Sequence, residues 1–274
     1  MSEKGLLKGS VSELLEAGGE VKLPSRVSSD KAYKKRMNYI DKDKRYFTQV
    51  SDKECSTIVK TLTLPQAGIL LSMFAYMEEG KGGFLYFEGK RLSLKEFSKL
   101  INKGYDSVKG SASELVNLGY VSTSKEGKSV YYSVSSQIAT RGRSTKKDFF
   151  SRLFIVQLRE VIKKASIQEL GLFLNLLPYF NTRAYIICSN PHELKLDNIE
   201  LWNRERIAEE TGLSLPTVKR LIPSMMRKGL LVGVKTWRTA IVIHPQLVSR
   251  QLEKVTLEDV SKVIENELNK KKEW

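Results

Sequence analysis

The chain carries one module twice, and the register between the copies constrains the fold more than any other feature. RYFTQV (45–50) matches DFFSRL (148–153), and TLTLPQAGILLSMFAYM (61–77) matches KASIQELGLFLNLLPYF (164–180). Phe47 aligns with Phe150, Gly68 with Gly171 and Tyr76 with Tyr179, a constant spacing of 103 residues (150 − 47). Farther on, EFSKLINKGYDSVKGSASELVNLGYV (96–121) matches RIAEETGLSLPTVKRLIPSMMRKGLL (206–231). Here Val108 aligns with Val218 and Gly119 with Gly229, at a spacing of 110 (218 − 108). The second copy therefore holds seven extra residues (110 − 103), which fall in the turn-rich ICSNPHELKLDNIE (187–200) and predict a longer loop. Glycines and aromatics held in register imply two equivalent modules in tandem, in keeping with a chain of 274 residues.

Each copy follows the same order. A strand-like piece leads into a short helix, CSTIVKTL or LREVIKKA. A buried helix opens at Leu64 or Ile167; in the first copy Ile69, Leu70, Met73, Phe74 and Met77 recur at helical spacing. An amphipathic helix (LSLKEFSKLI or WNRERIAEETG), a tight turn (INKGYD or TGLS) and a second helix from about Ser107 or Pro216 come next. That helix ends where Gly119 and Gly229 suit a left-handed C-cap. Ser214 is a fitting N-cap, and Pro216 then lies in the first turn, where its missing N–H costs nothing; the glycine-rich INKGYDSVKG has no comparable cap. Two strand-like runs follow, joined by KEGK or KTW as hairpin turns.

Helix, turn, helix and hairpin is the order of a winged helix. The predicted fold is mainly α with small β-hairpin wings (α+β): two tandem winged helix-turn-helix domains plus a C-terminal helix. Expected boundaries are an N-terminal helix and basic arm (1–44), a first domain (45–138), a basic linker (139–147), a second domain (148–250) and a C-terminal amphipathic helix (251–274). The last carries an apolar stripe of Leu257, Val260, Val263, Ile264 and Leu268 behind a Thr256 cap. The stripe must be buried, on the second domain or on another copy of the chain, so a homo-oligomer through this helix is one expectation.

The run FTQV, then TLPQAGILL, then the turn GLSLPTV and the LVNLGYV entry into a hairpin resembles winged-helix proteins of plasmids and phages of Gram-positive bacteria, RepL-type plasmid replication proteins among them. The resemblance spans about 45–138 and again about 148–247, through degenerate motifs. It implies DNA binding, and leaves replication and transcription both open.

Charge points the same way. The formal net charge is +15, so an acidic partner is expected: nucleic acid first, an anionic membrane surface second. No apolar run approaches the roughly 20 residues that span a bilayer, and the N-terminus lacks a signal-peptide core. A cytoplasmic, nucleoid-associated protein of a bacterial host is expected. Two isolated cysteines, Cys55 and Cys188, and two distant histidines, His192 and His244, do not have metal-site spacing, so no metal or cofactor is expected. Carboxylates are scattered and no phosphate-binding glycine loop is present, which argues against an enzyme.

Duplex DNA is thus the expected partner, with a host polymerase or replication protein as a further one. In the second copy Ser214, Thr217, Lys219 and Arg220 should face base edges, while Val218 and Leu221 turn inward. In the first, Asp106, Ser107, Lys109, Gly110 and Ser113 take those places, a small and weakly basic set. Lys125 and Lys128 on one wing, and Lys235 and Arg238 on the other, should reach phosphates or the minor groove, with Trp237 beside them. Arg141 and Arg143 of the linker are placed to lie along the DNA backbone or in a narrow minor groove. Pro223 interrupts the second recognition helix, and two outcomes stand open: the helix kinks past its reading half, or it breaks there.

Overall fold

The computed structural model describes residues 28, 29, 32, 43–142, 149–235 and 239–268. The chain divides into two compact units, Met1–Lys42 and Asp43–Trp274. In the first, residues 28, 29 and 32 are helical; apart from these and residues 43 and 44, the expected N-terminal helix and basic arm (1–44) lie outside the described residues.

The second unit is an α+β arrangement of helices and small sheets. Its first copy runs β1 (Phe47–Ser51), α1 (Asp52–Thr61), α2 (Leu64–Phe74), β2 (Tyr86–Phe87), β3 (Lys90–Arg91), α3 (Leu94–Leu100), α4 (Tyr105–Asn117), β4 (Val121–Glu126), β5 (Ser129–Val134) and β6 (Ala139–Thr140). The second runs β7 (Phe150–Phe154), α5 (Ile155–Lys164), α6 (Ile167–Leu176), α7 (Arg204–Thr211), α8 (Leu215–Arg227), β8 (Leu231–Lys235), β9 (Thr239–Ile243) and β10 (Val248–Ser249), before a final α9 (Leu257–Leu268). Both central helices start at reciprocal capping boxes, Thr63 with Gln66 and Ser166 with Glu169, so the first-turn N–H groups are satisfied locally.

The copies interlock. One antiparallel sheet takes strands from both, in the order β10-β7-β1-β6. Phe47 pairs with Phe154 and Ser51 with Phe150. Phe150 is the counterpart of Phe47, and Phe154 that of Ser51, so each pair is the image of the other. The same reciprocity recurs at the sheet ends, where Asp52 N–H donates to the Phe149 carbonyl (3.2 Å) and Ile155 N–H to the Tyr46 carbonyl (3.0 Å). It recurs again where α2 crosses α6. A Cβ on Gly68 would stand 2.0 Å from the Ile167 carbonyl oxygen, and one on Gly171 2.0 Å from that of Leu64. Ile167 and Leu64 are themselves counterparts. Contacts that exchange in this way are the signature of a two-fold relation. The local axis passes between Gln49 and Arg152, which face each other in the sheet.

Each copy's first helix lies on the other copy. Helix α1 packs on α6 and the 3-10 turn Leu177–Tyr179. From α5, Arg159 donates through Nε to the Ala75 carbonyl at the end of α2 (2.8 Å), its guanidinium 4.6 Å from the centre of the Tyr76 ring. The apolar core is continuous across both copies, from Phe74, Phe97 and Val108 to Phe173, Ile207 and Val218. One buried charge pair also crosses over. Asp52 accepts from Ser151 Oγ (2.7 Å) and its other oxygen lies 2.9 Å from Arg250 Nε. That second contact is an ion pair outside hydrogen-bond angles, since neither atom has a hydrogen-bond partner among the described residues.

One expectation changes here. Ala139 and Thr140, placed in the linker by composition, form a strand on β1. Helix α9 does form behind its Thr256 cap, where Asp259 and Thr256 exchange hydrogen bonds. Its Val260 and Ile264 are buried, and the helix packs on the 3-10 turn Leu196–Asn198 within the second copy's longer loop. Val260 and Ile264 are thus covered by their own chain, while Leu257 and Val263 are half-buried and the side chain of Leu268 lies outside the described residues.

Candidate nucleic-acid interface

In the second copy α7 and α8 are set by strong local signals. Asn203 caps α7, accepting from Arg206 N–H at 2.8 Å. Gly212 ends it with φ +66°, the left-handed region in which glycine avoids the Cβ penalty. Ser214 then caps α8, accepting from Thr217 N–H at 3.4 Å, with proline in the first turn. Val218, Leu221, Ile222 and Met225 are buried, which turns the opposite face outward. On that face Ser214, Lys219 and Arg220 are exposed. Thr217 is half-buried, and its hydroxyl lies 2.8 Å from Ser214 Oγ, so it belongs partly to the cap. Arg220 donates through Nη2 to Gln168 Oε1 (3.0 Å) at the surface, which anchors its guanidinium beside the start of α6.

Pro223 sits half-buried within α8, and the helix continues through it to Arg227. Breakage at this residue does not occur. The missing N–H leaves the Lys219 carbonyl without its intrahelical donor, one turn earlier.

The first copy builds the same unit with weaker local signals. Asn102 takes φ +57° in the turn, and Gly104 stands at the N-cap without a side chain to accept a hydrogen bond. Helix α4 starts at Tyr105, two residues before the expected Ser107. Val108, Ala112 and Leu115 are buried, and Asp106, Ser107, Lys109, Gly110 and Ser113 are exposed. The turn is fixed from the other copy as well: Lys103 Nζ donates to the Ile162 carbonyl at the end of α5 (2.9 Å). Burial lowers the pKa of this amine, with Lys228 nearby adding to the effect.

Of the hairpin residues, Lys125 in β4 and Lys128 in the β4–β5 turn are exposed. Lys235 ends β8, but its side chain, Trp237, Arg238 and Arg143 all lie outside the described residues. Arg141 is placed differently from the expectation. It is half-buried and donates to the Met77 carbonyl past the end of α2. Its counterpart Arg250 donates to the Phe180 carbonyl, the counterpart of Met77. Both arginines satisfy carbonyls beyond a helix C-terminus, where a cation is also favoured by the helix dipole. The signal that could have shown this is a further repeat, QIATR (137–141) against QLVSR (246–250).

Arg91 also falls outside the expected set. Its guanidinium lies over Phe84 (3.5 Å) and Tyr131 (4.4 Å) and donates to Ser124 Oγ (2.9 Å) and Glu126, holding the β4–β5 hairpin against β3. Part of the positive charge is thus internal, in Arg141, Arg152, Arg159 and Arg250, whose pKa values burial lowers. Lys228 is spent on the buried Glu169 (2.7 Å). The exposed cations include Lys95, Lys99, Lys109, Lys125 and Lys128 in the first copy, and Lys219, Arg220 and Arg227 in the second.

No protein-family model matches the chain, and neither a curated protein nor a solved structure matches it. No described helix is long and apolar enough to cross a membrane.

Proposed function

We propose that the chain is a sequence-specific duplex-DNA-binding protein without catalysis, in which α3, α4 and β4–β5 form one winged helix-turn-helix and α7, α8 and β8–β9 another. The observation that carries this is the repeated helix, turn, helix and hairpin, in which the second helix buries Val108 or Val218 and exposes Lys109 or Lys219 with its neighbours. Lys219 and Arg220 are assigned to base edges in the major groove, Arg220 in two-pronged contact with guanine. Lys125 and Lys128 are assigned to phosphates. The job best suited to this arrangement is regulation of transcription in a phage or mobile element. The resemblance of FTQV, TLPQAGILL and GLSLPTV to RepL-type proteins favours a second job, binding of origin repeats to start replication.

The test is to mix the purified chain with sheared host and element DNA at two salt concentrations, recover the bound fragments and sequence them. A shared motif whose recovery falls steeply with salt is expected, since neutralised phosphates release counterions. Motifs upstream of promoters select the regulator, and motifs within an origin select the initiator. Absence of DNA affinity at low salt overturns the proposal.

A further inference from the structure

We infer that the two modules act as a dimer built into one chain, so that one protein molecule reads an imperfect inverted repeat, with the half under α8 specified more strictly than the half under α4. This rests on the DNA-binding proposal above. A tandem repeat in sequence is equally compatible with modules stacked by translation, as in a solenoid, which would place equivalent helices in the same direction along the duplex and read direct repeats. The contacts between the copies select against that. Strands β1 and β7 pair antiparallel with Phe47 on Phe154 and Phe150 on Ser51. Gly68 meets Ile167 while Gly171 meets Leu64. Asp52 N–H reaches the Phe149 carbonyl while Ile155 N–H reaches the Tyr46 carbonyl. Three places each show residue i of one copy on residue j of the other, and j on i. Translation cannot generate such exchanges, and a two-fold rotation must.

The two strands of duplex DNA are antiparallel, so the duplex has two-fold axes of its own. Two helix-turn-helix modules related by a two-fold axis engage it with equivalent half-sites inverted. The halves cannot be equivalent in strength. Helix α8 carries Lys219 and Arg220 behind a side-chain cap at Ser214. Helix α4 presents Ser107, Lys109, Gly110 and Ser113 behind Gly104. An arginine in two-pronged contact with guanine discriminates against the wrong base by about 5- to 150-fold, and α4 has no arginine to do so.

The experiment is repeated selection by the full chain from duplexes containing a long random window, followed by sequencing and by the mass of the complex on the winning site. The expected result is two related words in inverted orientation at fixed spacing, one more strongly specified, with one chain bound per site. In the Arg220→Ala variant, whose exposed side chain leaves the core untouched, the stricter word should lose its guanine preference and the other word should persist. Affinity for the winning site should fall at least fivefold. Two words in direct orientation, a single word, words of equal strength, or two chains per inverted site would each overturn the inference while leaving DNA binding intact. No enriched word at any salt would instead remove the DNA-binding proposal itself.

Discussion

Gly171→Ala tests the relation between the copies most directly. The added Cβ would stand 2.0 Å from the Leu64 carbonyl oxygen and 2.7 Å from its carbon. Ordinary contact for such a pair begins about 1.4 Å farther out, and the obstacle is backbone within a capped helix, so the whole of α2 must move. Inserting a methylene into a packed core typically costs about 1–3 kcal/mol when side chains can yield. A gap of up to 1 Å forfeits a quarter to a half of the dispersion attraction along the crossing, so about 4 kcal/mol is a fair gross figure for a backbone clash. Alanine returns about 1 kcal/mol through helix propensity. The net destabilisation is about 3 kcal/mol, or about 6–12 °C in melting temperature for a unit of this size. Urea unfolding followed by circular dichroism measures it. Gly68→Ala should cost a similar amount, and the double variant less than the sum, because both open the same crossing. Gly110→Ala is the control: it is helical, exposed and faces open space, and should be neutral or stabilise by up to about 1 kcal/mol. A Gly171→Ala protein as stable as the parent would refute the close crossing and the two-fold packing built on it.

Asp52→Asn leaves Arg250 buried without its counter-charge, and should cost about 3–5 kcal/mol in the same urea assay. Arg141→Ala should lower the melting temperature yet leave the salt slope of DNA affinity unchanged. Lys125→Ala should instead cut that slope by about one unit, for the single phosphate it no longer neutralises, with no effect on melting. Stability should fall with acid in two stages. Burial holds the His244 imidazole below its usual 6.5, and its Nδ1 accepts the Gln246 N–H (3.2 Å) only when unprotonated. Its contribution is therefore complete above about pH 6.5 and lost as pH falls through the lower folded value. Burial pushes the Glu169 carboxyl up, but hydrogen bonds from Lys228, Ser224 and Ser166 outweigh it and hold the group below its usual 4.5. That contribution is present above about pH 4.5 and lost below it. Urea midpoints measured from about pH 2.5 to 8 should flatten at the upper stage in His244→Gln and at the lower stage in Glu169→Gln.

Much of the chain's local order was legible in its sequence because local rules dominate there. Capping boxes, the Ser214 cap with Pro216, and Gly119 and Gly229 at positive φ all act within a few residues. The buried Val108 and Val218 followed from helical spacing. What was not legible depends on residues far apart. The repeat states that the copies are alike and is silent on how they are related, since the deciding pairs join positions roughly 100 residues apart, as Gly68 and Ile167 do. The α9 stripe states that Val260 and Ile264 are buried and is silent on what covers them. Arg141 was obscured for a different reason: TRGRSTKK has the composition of a linker, and the short QIATR repeat lies just where that composition begins.

The two ends of the shared body also show why both copies belong to one chain. At the end of α2, Arg159 crosses from the second copy to bond the Ala75 carbonyl and cover Tyr76. The counterpart of Arg159 is Ser56, which is too short to reach across. A cleft of about 480 Å³ lies there instead, lined by Ser56, Pro178, Tyr179 and His192 among others. The counterpart of the Ala75 carbonyl, that of Pro178, is met from within its own copy by Arg250 (3.2 Å). Arg250 is buried and needs a counter-charge, which Asp52 supplies from the first copy. The counterpart of Asp52 is Ile155, where no charge is needed, because the half-buried Arg141 sits near Glu78 and Glu79. In a dimer of identical chains every substitution appears at both ends, and the two solutions could not coexist. A chain made of two first copies would lack Arg159 at both crossings, and one made of two second copies would bury Arg250 opposite an isoleucine. The backbone keeps its two-fold relation while the side chains at its ends have diverged into complementary halves that are not interchangeable.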